Sequence, residues 1–273
     1  MNAMNRASSH PTRSLRSAWP FALLGALLGL GLALLVWAPA RWLAWGVAEA
    51  SQGQVQWLNP RGTVWHGSAQ LLLSGGPGSR QPQALPGRVH WQLSPALTGL
   101  RLGWQADCCM TEAASLQAAL GWSTLSLQAS DHQSSWPAAL LSGLGAPWNT
   151  LQVEGQLQLR TQALQLHWAQ GRLQMHGLLE LNLQQMSSRL SPVKPMGSYR
   201  VALTGTPEGT ATPGLTLSTL QGSLLLSGNG QWVGQRLRFT GEARAAEGQE
   251  AAFDNLLNIL GRRQGARSLL SLG

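Results

Sequence analysis

Long runs of alternating apolar and polar residues restrict the fold of this sequence more than any other feature. Residues 151–159 and 173–183 alternate in this way, and shorter alternating runs occupy 89–93, 100–104, 125–127, 201–203 and 237–239. Successive side chains of a strand point to opposite faces, so a period of two predicts strands with one buried face. Turn-forming Gly, Pro and Asn between the runs favour hairpins over βαβ units. The sequence therefore predicts a mainly β protein, built on one long, curled antiparallel sheet (a meander or roll).

One hairpin can be placed in register by hand. A two-residue turn at Gln170-Gly171 sets apolar residues opposite apolar ones and polar residues opposite polar ones on the flanking strands. The predicted pairs are Trp168 with Leu173, Leu166 with Met175, His167 with Gln174, and Gln165 with His176. The apolar face of such a sheet must be hidden by curling, by a second sheet, or by a partner or ligand.

Two segments depart from the alternating pattern. Residues 136–144 are apolar and short, which indicates a helix or a turn. Phe253, Leu256, Leu257 and Leu260 recur at helical spacing before Gly261, which predicts a short C-terminal helix that caps the end of the sheet. A strand over 268–272 is expected to follow. The Pro- and Gly-rich stretch at 205–214 is a candidate seam between domains, although no linker separates two domains clearly.

The N-terminal part carries a different signal. Residues 20–38 contain no charge, and a helix of nineteen residues extends about 28 Å, close to the hydrocarbon thickness of a bilayer. Tryptophans flank this segment, as in the aromatic belts of membrane proteins. Arg6, Arg13 and Arg16 precede it, and the positive-inside rule then places the N-terminus in the cytoplasm. We expect a cytoplasmic tail over 1–18, a single-pass transmembrane anchor over 19–40 in the cell inner membrane, and a β-rich periplasmic domain over 41–273.

Two further points concern this anchor. Ala38-Pro39-Ala40 has the A-x-A pattern of a signal-peptide cleavage site, but the apolar stretch exceeds the usual length of about 7–15 residues, which favours a retained anchor. Gly25 and Gly29 form a G-x-x-x-G step that either packs against a partner helix or arises by chance in a segment rich in Leu, Gly and Ala.

The net charge of +8 does not indicate nucleic-acid binding, because the arginines are dispersed and no basic run is interleaved with aromatic residues. Attraction to anionic lipid is the use that we favour for this charge. The adjacent Cys108 and Cys109 allow three interpretations: a vicinal disulfide, a bridge to a partner, or two small apolar side chains in a strand or turn. Metal binding is a weak interpretation, because metal sites need more ligands at wider spacing.

Residues that could carry catalysis form no recognisable constellation. The six histidines lack metal-ligand spacing, the eleven acidic residues are scattered, and no nucleophile elbow or Walker-type loop is present. His167 and His176 share a polar face of the predicted hairpin, where solvated cross-strand residues are commoner than metal half-sites. We therefore expect a protein that is not an enzyme, with no catalytic residues, no metal, no cofactor and no small-molecule substrate.

Three sequence elements together resemble the type II secretion system protein N family. They are Pro39-Ala40-Arg41-Trp42, the stretch G-T-V-W-H-G-S-A at 62–69, and L-L-N-I-L-G-R-R-Q-G at 256–265. The resemblance implies a non-enzymatic accessory component of the inner-membrane platform, which supports export of folded proteins from the periplasm across the outer membrane. Its implied partners are other type II secretion inner-membrane proteins and the lipid of that membrane.

The 62–69 element also has a physical interpretation. Gly62 and Gly67 permit a tight turn or bulge, and Trp65 is large enough to anchor the start of the apolar face. The element either begins the core or docks a partner through Gly62, Thr63, Trp65 and Gly67. For the whole protein, the alternative to a secretion role is an anchored periplasmic module that binds or transfers lipid in an apolar β-groove.

Overall fold

In the computed structural model, the residues described are 19–75, 82–146, 148–205, 213–233 and 236–273. The chain divides into two compact units between Ala38 and Pro39. The predicted cytoplasmic tail over 1–18 lies outside the described residues. The candidate seam at 205–214 lies inside the second unit, and residues 206–212 of it are outside the described part.

The first unit contains helix α1 (Trp19–Val36). Its side chains are apolar on all sides, and nearly all of those described are exposed. The helix ends at Val36, two residues before the end of the uncharged stretch at 20–38. Pro39 explains this end, because it is extended (φ −69°, ψ 145°) and because proline disfavours helical geometry in the residue before it. In the part of the chain that the structure describes, no helix combines the length and the apolarity needed to cross a membrane.

The second unit is dominated by β-structure. Its helices are α2 (Ala40–Ala50), α3 (Trp148–Leu151), α4 (Glu250–Leu260) and a 3₁₀ helix over Ala138–Leu144. Its strands are β1 (Val55–Gly62), β2 (His66–Leu73), β3 (Gln83–Ala84), β4 (Val89–Ala96), β5 (Gly99–Ala106), β6 (Ala114–Leu120), β7 (Thr124–Ala129), β8 (His132–Pro137), β9 (Glu154–Ala169), β10 (Arg172–Ser187), β11 (Gly197–Thr204), β12 (Gly214–Gly222), β13 (Leu224–Val233), β14 (Arg236–Ala245), β15 (Arg262–Gln264) and β16 (Arg267–Leu272).

Within the described residues, these strands form one antiparallel sheet that does not close. Its order is β1-β2-β4-β5-β6-β7-β9-β10-β11-β12-β13-β14-β16-β15. Strand β3 pairs with β2, where it lies end to end with β4. Strand β8 pairs with β9, where it lies end to end with β7. Most neighbours in space are consecutive in sequence, as the predicted meander requires. The prediction of a mainly β protein with one large antiparallel sheet is confirmed.

The long hairpin of β9 and β10 joins the two halves of this order. Its turn residues have positive φ, 51° at Gln170 and 74° at Gly171, which matches the turn type that joins two strands through two residues. All four predicted pairs occur in the observed register. The strand predicted from residue 151 instead begins at Glu154, because Leu151 ends helix α3.

The apolar residues of the strands lie on one continuous face, since directly paired residues point the same way. The pairs that connect this face from β4 to β10 are Trp91 with Trp104, Leu102 with Leu116, Ala118 with Leu127, Leu127 with Leu166, and Leu166 with Met175. The protein's own helices cover parts of this face. Phe253, Leu256 and Leu257 of α4 are buried in the largest core cluster, and α2 and the 3₁₀ helix contribute to the two smaller ones. Helix α4 forms where the sequence predicted a C-terminal helix, and it packs against β14 and β16 near the end of the strand order.

Candidate functional site

The residues predicted to dock a partner form the tight turn between β1 and β2. Gly62 ends β1 with φ of 85°, a conformation that favours glycine. The backbone N–H of Thr63 donates to the carbonyl of His66 at 2.7 Å, and the N–H of His66 donates to the Thr63 hydroxyl at 3.1 Å. The carbonyl of Trp65 accepts from the N–H of Leu93 at 2.7 Å, which ties the turn to β4. The turn is therefore held from both sides.

Gly67 has a separate role beside this turn. Its missing side chain leaves room for the indole ring of Trp91, because a Cβ at position 67 would collide with that ring. Trp91 is 4% exposed, and its indole N–H donates to the carbonyl of Val64 at 3.0 Å. The ring also packs on Trp57, with ring centroids 4.5 Å apart. Gly67 and Trp91 thus form an interlocked pair under the turn.

Arg88 fastens β1 to β2 on the outer side of the same region. Its guanidinium donates to the carbonyls of Asn59 and Ser68, both at 2.8 Å, and to the Ser68 hydroxyl at 3.1 Å. The register of β1 with β2 shifts between Leu58 and Arg61, so the carbonyl of Asn59 is free of the regular ladder there. Sequence reasoning missed Arg88, because no local pattern connects it with a bulge about thirty residues earlier.

Two of the sequence elements that resemble the family meet at this turn. Pro39 forms an isolated antiparallel bridge with Thr63, and Ala40 of α2 is buried in a cluster with Ala69 and Trp91. The turn, the start of α2 and the first strands therefore form one packed unit. Gly62, Thr63 and Gly67 have structural roles in it, and Trp65 is half-buried. Partner docking by these residues stays a prediction.

The third element includes α4 and the residues after it. Leu256 and Leu257 are buried in the core. Arg263 donates to the Asp254 carboxylate at 2.7 Å and to the carbonyl of Gly265 at 2.6 Å, which fastens the β15–β16 turn to α4. Hydrogen bonds and packing thus account for much of this element.

Gly25 and Gly29 lie in α1, where a Cβ added at either position would meet no atom within 4 Å. This space is compatible with close approach of a partner helix, and packing through these residues stays a prediction.

Cys108 and Cys109 form a vicinal disulfide in the connection between β5 and β6. The backbone of Cys109 is anchored on both sides, since its N–H donates to Ala106 at 3.2 Å and its carbonyl accepts from Ser135 at 2.9 Å. Of the three interpretations left open by the sequence, the structure contains the first, the vicinal disulfide.

The ring of His167, in β9 of the long hairpin, shares a hydrogen bond of 3.0 Å with the hydroxyl of Ser126 in the neighbouring strand β7.

A cavity of about 250 Å³ lies between α4 and the apolar face of β10 to β13. Its walls include Leu217, Leu226 and Leu256, and the phenol of Tyr199 also lines it. The Tyr199 hydroxyl is buried and has no hydrogen-bond partner among the described residues. Burial raises the pKa of this phenol well above its ordinary value, because the low-dielectric surroundings disfavour the phenolate.

The sequence model of type II secretion system protein N matches residues 53–269. The chain belongs to the type II secretion system protein N family. The match includes the 62–67 turn, the long hairpin and α4, whereas Pro39-Ala40-Arg41-Trp42 lies before its start. No match was found among curated proteins or among solved structures.

Family membership gives the sheet its biological setting. As a member of this family, the chain is a component of a protein-transport system and works with other components of that system. The packed turn at 62–67 and the element at 256–265 are the parts of the matched region on which the resemblance in the sequence rests.

Proposed function

We propose that this member of the protein N family is a non-enzymatic accessory component of the type II secretion inner-membrane platform. It supports the export of folded proteins from the periplasm across the outer membrane. The observation that carries the proposal is the family match, which extends over nearly the whole β-sheet unit. Its partners are other inner-membrane proteins of the system, and it needs no cofactor or small-molecule substrate.

The proposed location is the cell inner membrane, with the N-terminus in the cytoplasm and the sheet unit in the periplasm. Two features support it: the apolar side chains of α1 are exposed on all sides, and three arginines precede this helix in the sequence. The test uses a membrane-impermeant thiol reagent on cells that carry Ser8→Cys or Gln249→Cys. Label should reach position 249 once the outer membrane is opened, and position 8 only after the inner membrane is broken. Equal labelling of both positions would contradict this topology.

The proposed mode of action is strand addition at an edge of the sheet. The described sheet does not close, and its order ends at β1 and β15. An outer strand presents unpaired backbone groups that an extended partner segment can bind. A photoreactive residue at Leu58, in β1, should crosslink to another inner-membrane protein of the system, whereas one at Ser218, which is paired on both sides in β12, should not. Crosslinks of equal yield from both positions would contradict binding at the β1 edge.

The function itself is tested in a strain that lacks this gene. Secreted hydrolases are measured separately in the medium and the periplasm, with outer-membrane leakage as the control. The proposal predicts hydrolases retained in the periplasm of an intact envelope, and recovery when the gene is restored. Trp65→Ala, checked for normal folding, should reduce recovery if the turn docks a partner. Normal secretion without the gene would contradict the secretion role.

A second candidate function is an anchored lipid-binding or lipid-transfer module. The observation that favours it is the apolar cavity beside α4, with the unpartnered hydroxyl of Tyr199 in its wall. At about 250 Å³ the cavity is smaller than the usual range of about 300–1,000 Å³ for small-molecule sites, so it suits part of one acyl chain. Lipid that co-purifies with the protein and is lost from Leu217→Trp would support this candidate. If no lipid co-purifies with the protein, this candidate is contradicted and only the secretion role remains.

A further inference from the structure

Three neighbouring hairpins expose large apolar side chains at one end of the sheet. Leu97 in the β4–β5 turn and Trp122 in the β6–β7 turn are fully exposed. Leu100, Leu120 and Trp168 lie on the strands next to these turns and are also exposed. We call these five residues the turn rim. Monomeric proteins seldom group exposed leucines and tryptophans in this way unless the surface meets a partner or a membrane.

The strand register shows that the turn rim is contiguous. Leu100 pairs with Ala118 two positions before Leu120, Leu120 pairs with Leu125, and Leu125 pairs with Trp168. Strands β4, β5, β6, β7 and β9 are successive neighbours, so the rim extends over about 20 Å of the sheet at the usual strand spacing. Leu100, Leu120 and Trp168 are held in strands, and the turns with Leu97 and Trp122 connect these strands or their direct neighbours.

Acidic residues are distributed unevenly between the described turns at the two ends of the sheet. Exposed basic residues lie at both ends of the sheet; those at the end that carries the turn rim include Arg41, Arg61, Arg101, Arg236 and Arg238. The described turns at this end, with three strand residues on either side, contain no aspartate or glutamate. The acidic residues Asp107, Glu112 and Glu250, by contrast, follow strand ends or begin a helix at the other end. An apolar rim at an end that carries exposed arginines, and no acidic residue in its described turns, complements an anionic lipid surface.

The chain also enters the sheet unit at this end. Pro39 pairs with Thr63 in the β1–β2 turn, and Trp65 of that turn is hydrogen-bonded to Leu93 of β4. Only Trp37 and Ala38 separate Pro39 from the apolar segment that ends at Val36. The first residue of the sheet unit therefore lies at the end that carries the turn rim.

We propose that the turn rim inserts into the interfacial region of an anionic phospholipid bilayer. Leucine and tryptophan side chains enter the boundary between headgroups and acyl chains, and the arginines bind lipid phosphates. The sheet is thereby attached at its hairpin end in addition to the N-terminal segment. This inference rests on the inner-membrane location given above.

The test uses the full chain, spin-labelled at Trp122→Cys and reconstituted in vesicles of phosphatidylethanolamine and phosphatidylglycerol. The native cysteines are joined in a disulfide and offer no free thiol to the label. Gln249→Cys, at the opposite end of the sheet, is the control. The label at 122 should collide often with oxygen and rarely with a water-soluble nickel complex, whereas the label at 249 should show the reverse. Vesicles of phosphatidylcholine alone should weaken this protection at 122.

A second variant separates the turn rim from overall folding. Leu97→Asp in the Trp122→Cys background should remove the protection, because it places a charge at a fully exposed position that packs against nothing. Gln249→Asp in the same background should leave it intact. Protection that survives Leu97→Asp would overturn the proposal.

An alkaline wash of the vesicles distinguishes failure of the proposed inner-membrane location from failure of the turn-rim contact. If the wash removes the protein, the inner-membrane location and the turn-rim contact both fail. If the protein stays while the label at 122 is as open to nickel as the label at 249, only the turn-rim contact fails. Protection that appears only in native membranes with the other secretion proteins would identify a protein as the occupant and overturn lipid binding. If the label at 122 is protected equally in vesicles of phosphatidylcholine alone, the proposed attraction of the arginines to anionic lipid is overturned.

Discussion

Replacement of Gly67 by alanine tests the interlocked pair beneath the β1–β2 turn. The new Cβ would collide with the ring of Trp91 and would lie 2.8 Å from the carbonyl oxygen of Arg61. The ring has no free direction in which to move, because it is buried, packs on Trp57 and donates its N–H to Val64. Gly67→Ala must therefore displace either a buried tryptophan or a strand.

The size of the effect follows from these contacts. Overpacking of a well-packed core costs about 1–3 kcal/mol, and loss of the indole hydrogen bond adds about 1 kcal/mol. We expect the free energy of unfolding to fall by about 2–4 kcal/mol. In a domain of this size each kcal/mol lowers the melting temperature by about 2–4 °C, so Gly67→Ala should lower it by about 4–16 °C.

The assay is thermal unfolding of the purified full chain, followed by circular dichroism. Gly103→Ala is the matched control, because a Cβ there would approach its nearest neighbours only to 3.8 Å. Combining Gly67→Ala with Trp91→Leu should cost less than the sum of the two single changes, since the smaller side chain relieves the collision. A melting temperature for Gly67→Ala within about 2 °C of the Gly103→Ala value would refute this reasoning.

Three further changes test other parts of the sheet unit. Tyr199→Phe should abolish a loss of stability that the wild-type protein shows at high pH. Burial raises the pKa of the Tyr199 phenol in the folded chain, so above about pH 10 only the unfolded chain releases the phenolic proton. The wild-type free energy of unfolding should therefore fall there by about 1.4 kcal/mol per pH unit. The absorbance of tyrosinate reports this directly, because the sequence contains one tyrosine. Phe253→Ala should cost about 3–5 kcal/mol in chemical unfolding, while Ile259→Ala, on the exposed side of α4, should cost far less. Arg88→Met should raise hydrogen exchange around Asn59, whose carbonyl loses its guanidinium partner; unchanged exchange would contradict the fastening role.

Much of the fold could be predicted where local and global signals agree. The hairpin at Gln170-Gly171 was placed in register because a two-residue turn between two-faced strands leaves one arrangement that keeps the apolar face intact. Helix α4 was predicted because its apolar residues recur with helical period and a glycine follows. Strands such as β6 and β13 were missed, because their alanines, glycines and serines weaken the alternating pattern.

The candidate site was predicted only in part. The two glycines and the threonine of the β1–β2 turn could be identified from residue type, since only glycine tolerates the backbone at position 62 without strain. Nothing in the sequence shows that Trp91 fills the space beside Gly67, or that Arg88 reaches Asn59. These contacts join residues more than twenty positions apart, and strand register alone brings them together.

The sequence by itself determined the period-two strands, the order of a meander, the turn at Gln170-Gly171 and the helix before Gly261, because each depends on neighbouring residues. Only the tertiary structure decided which helices cover the apolar face, where the cavity beside Tyr199 lies, and which turns share one end of the sheet. Those features depend on the register of the paired strands and on which helices pack against the sheet. Strand pairing is set by the summed burial of many side chains rather than by any local pattern.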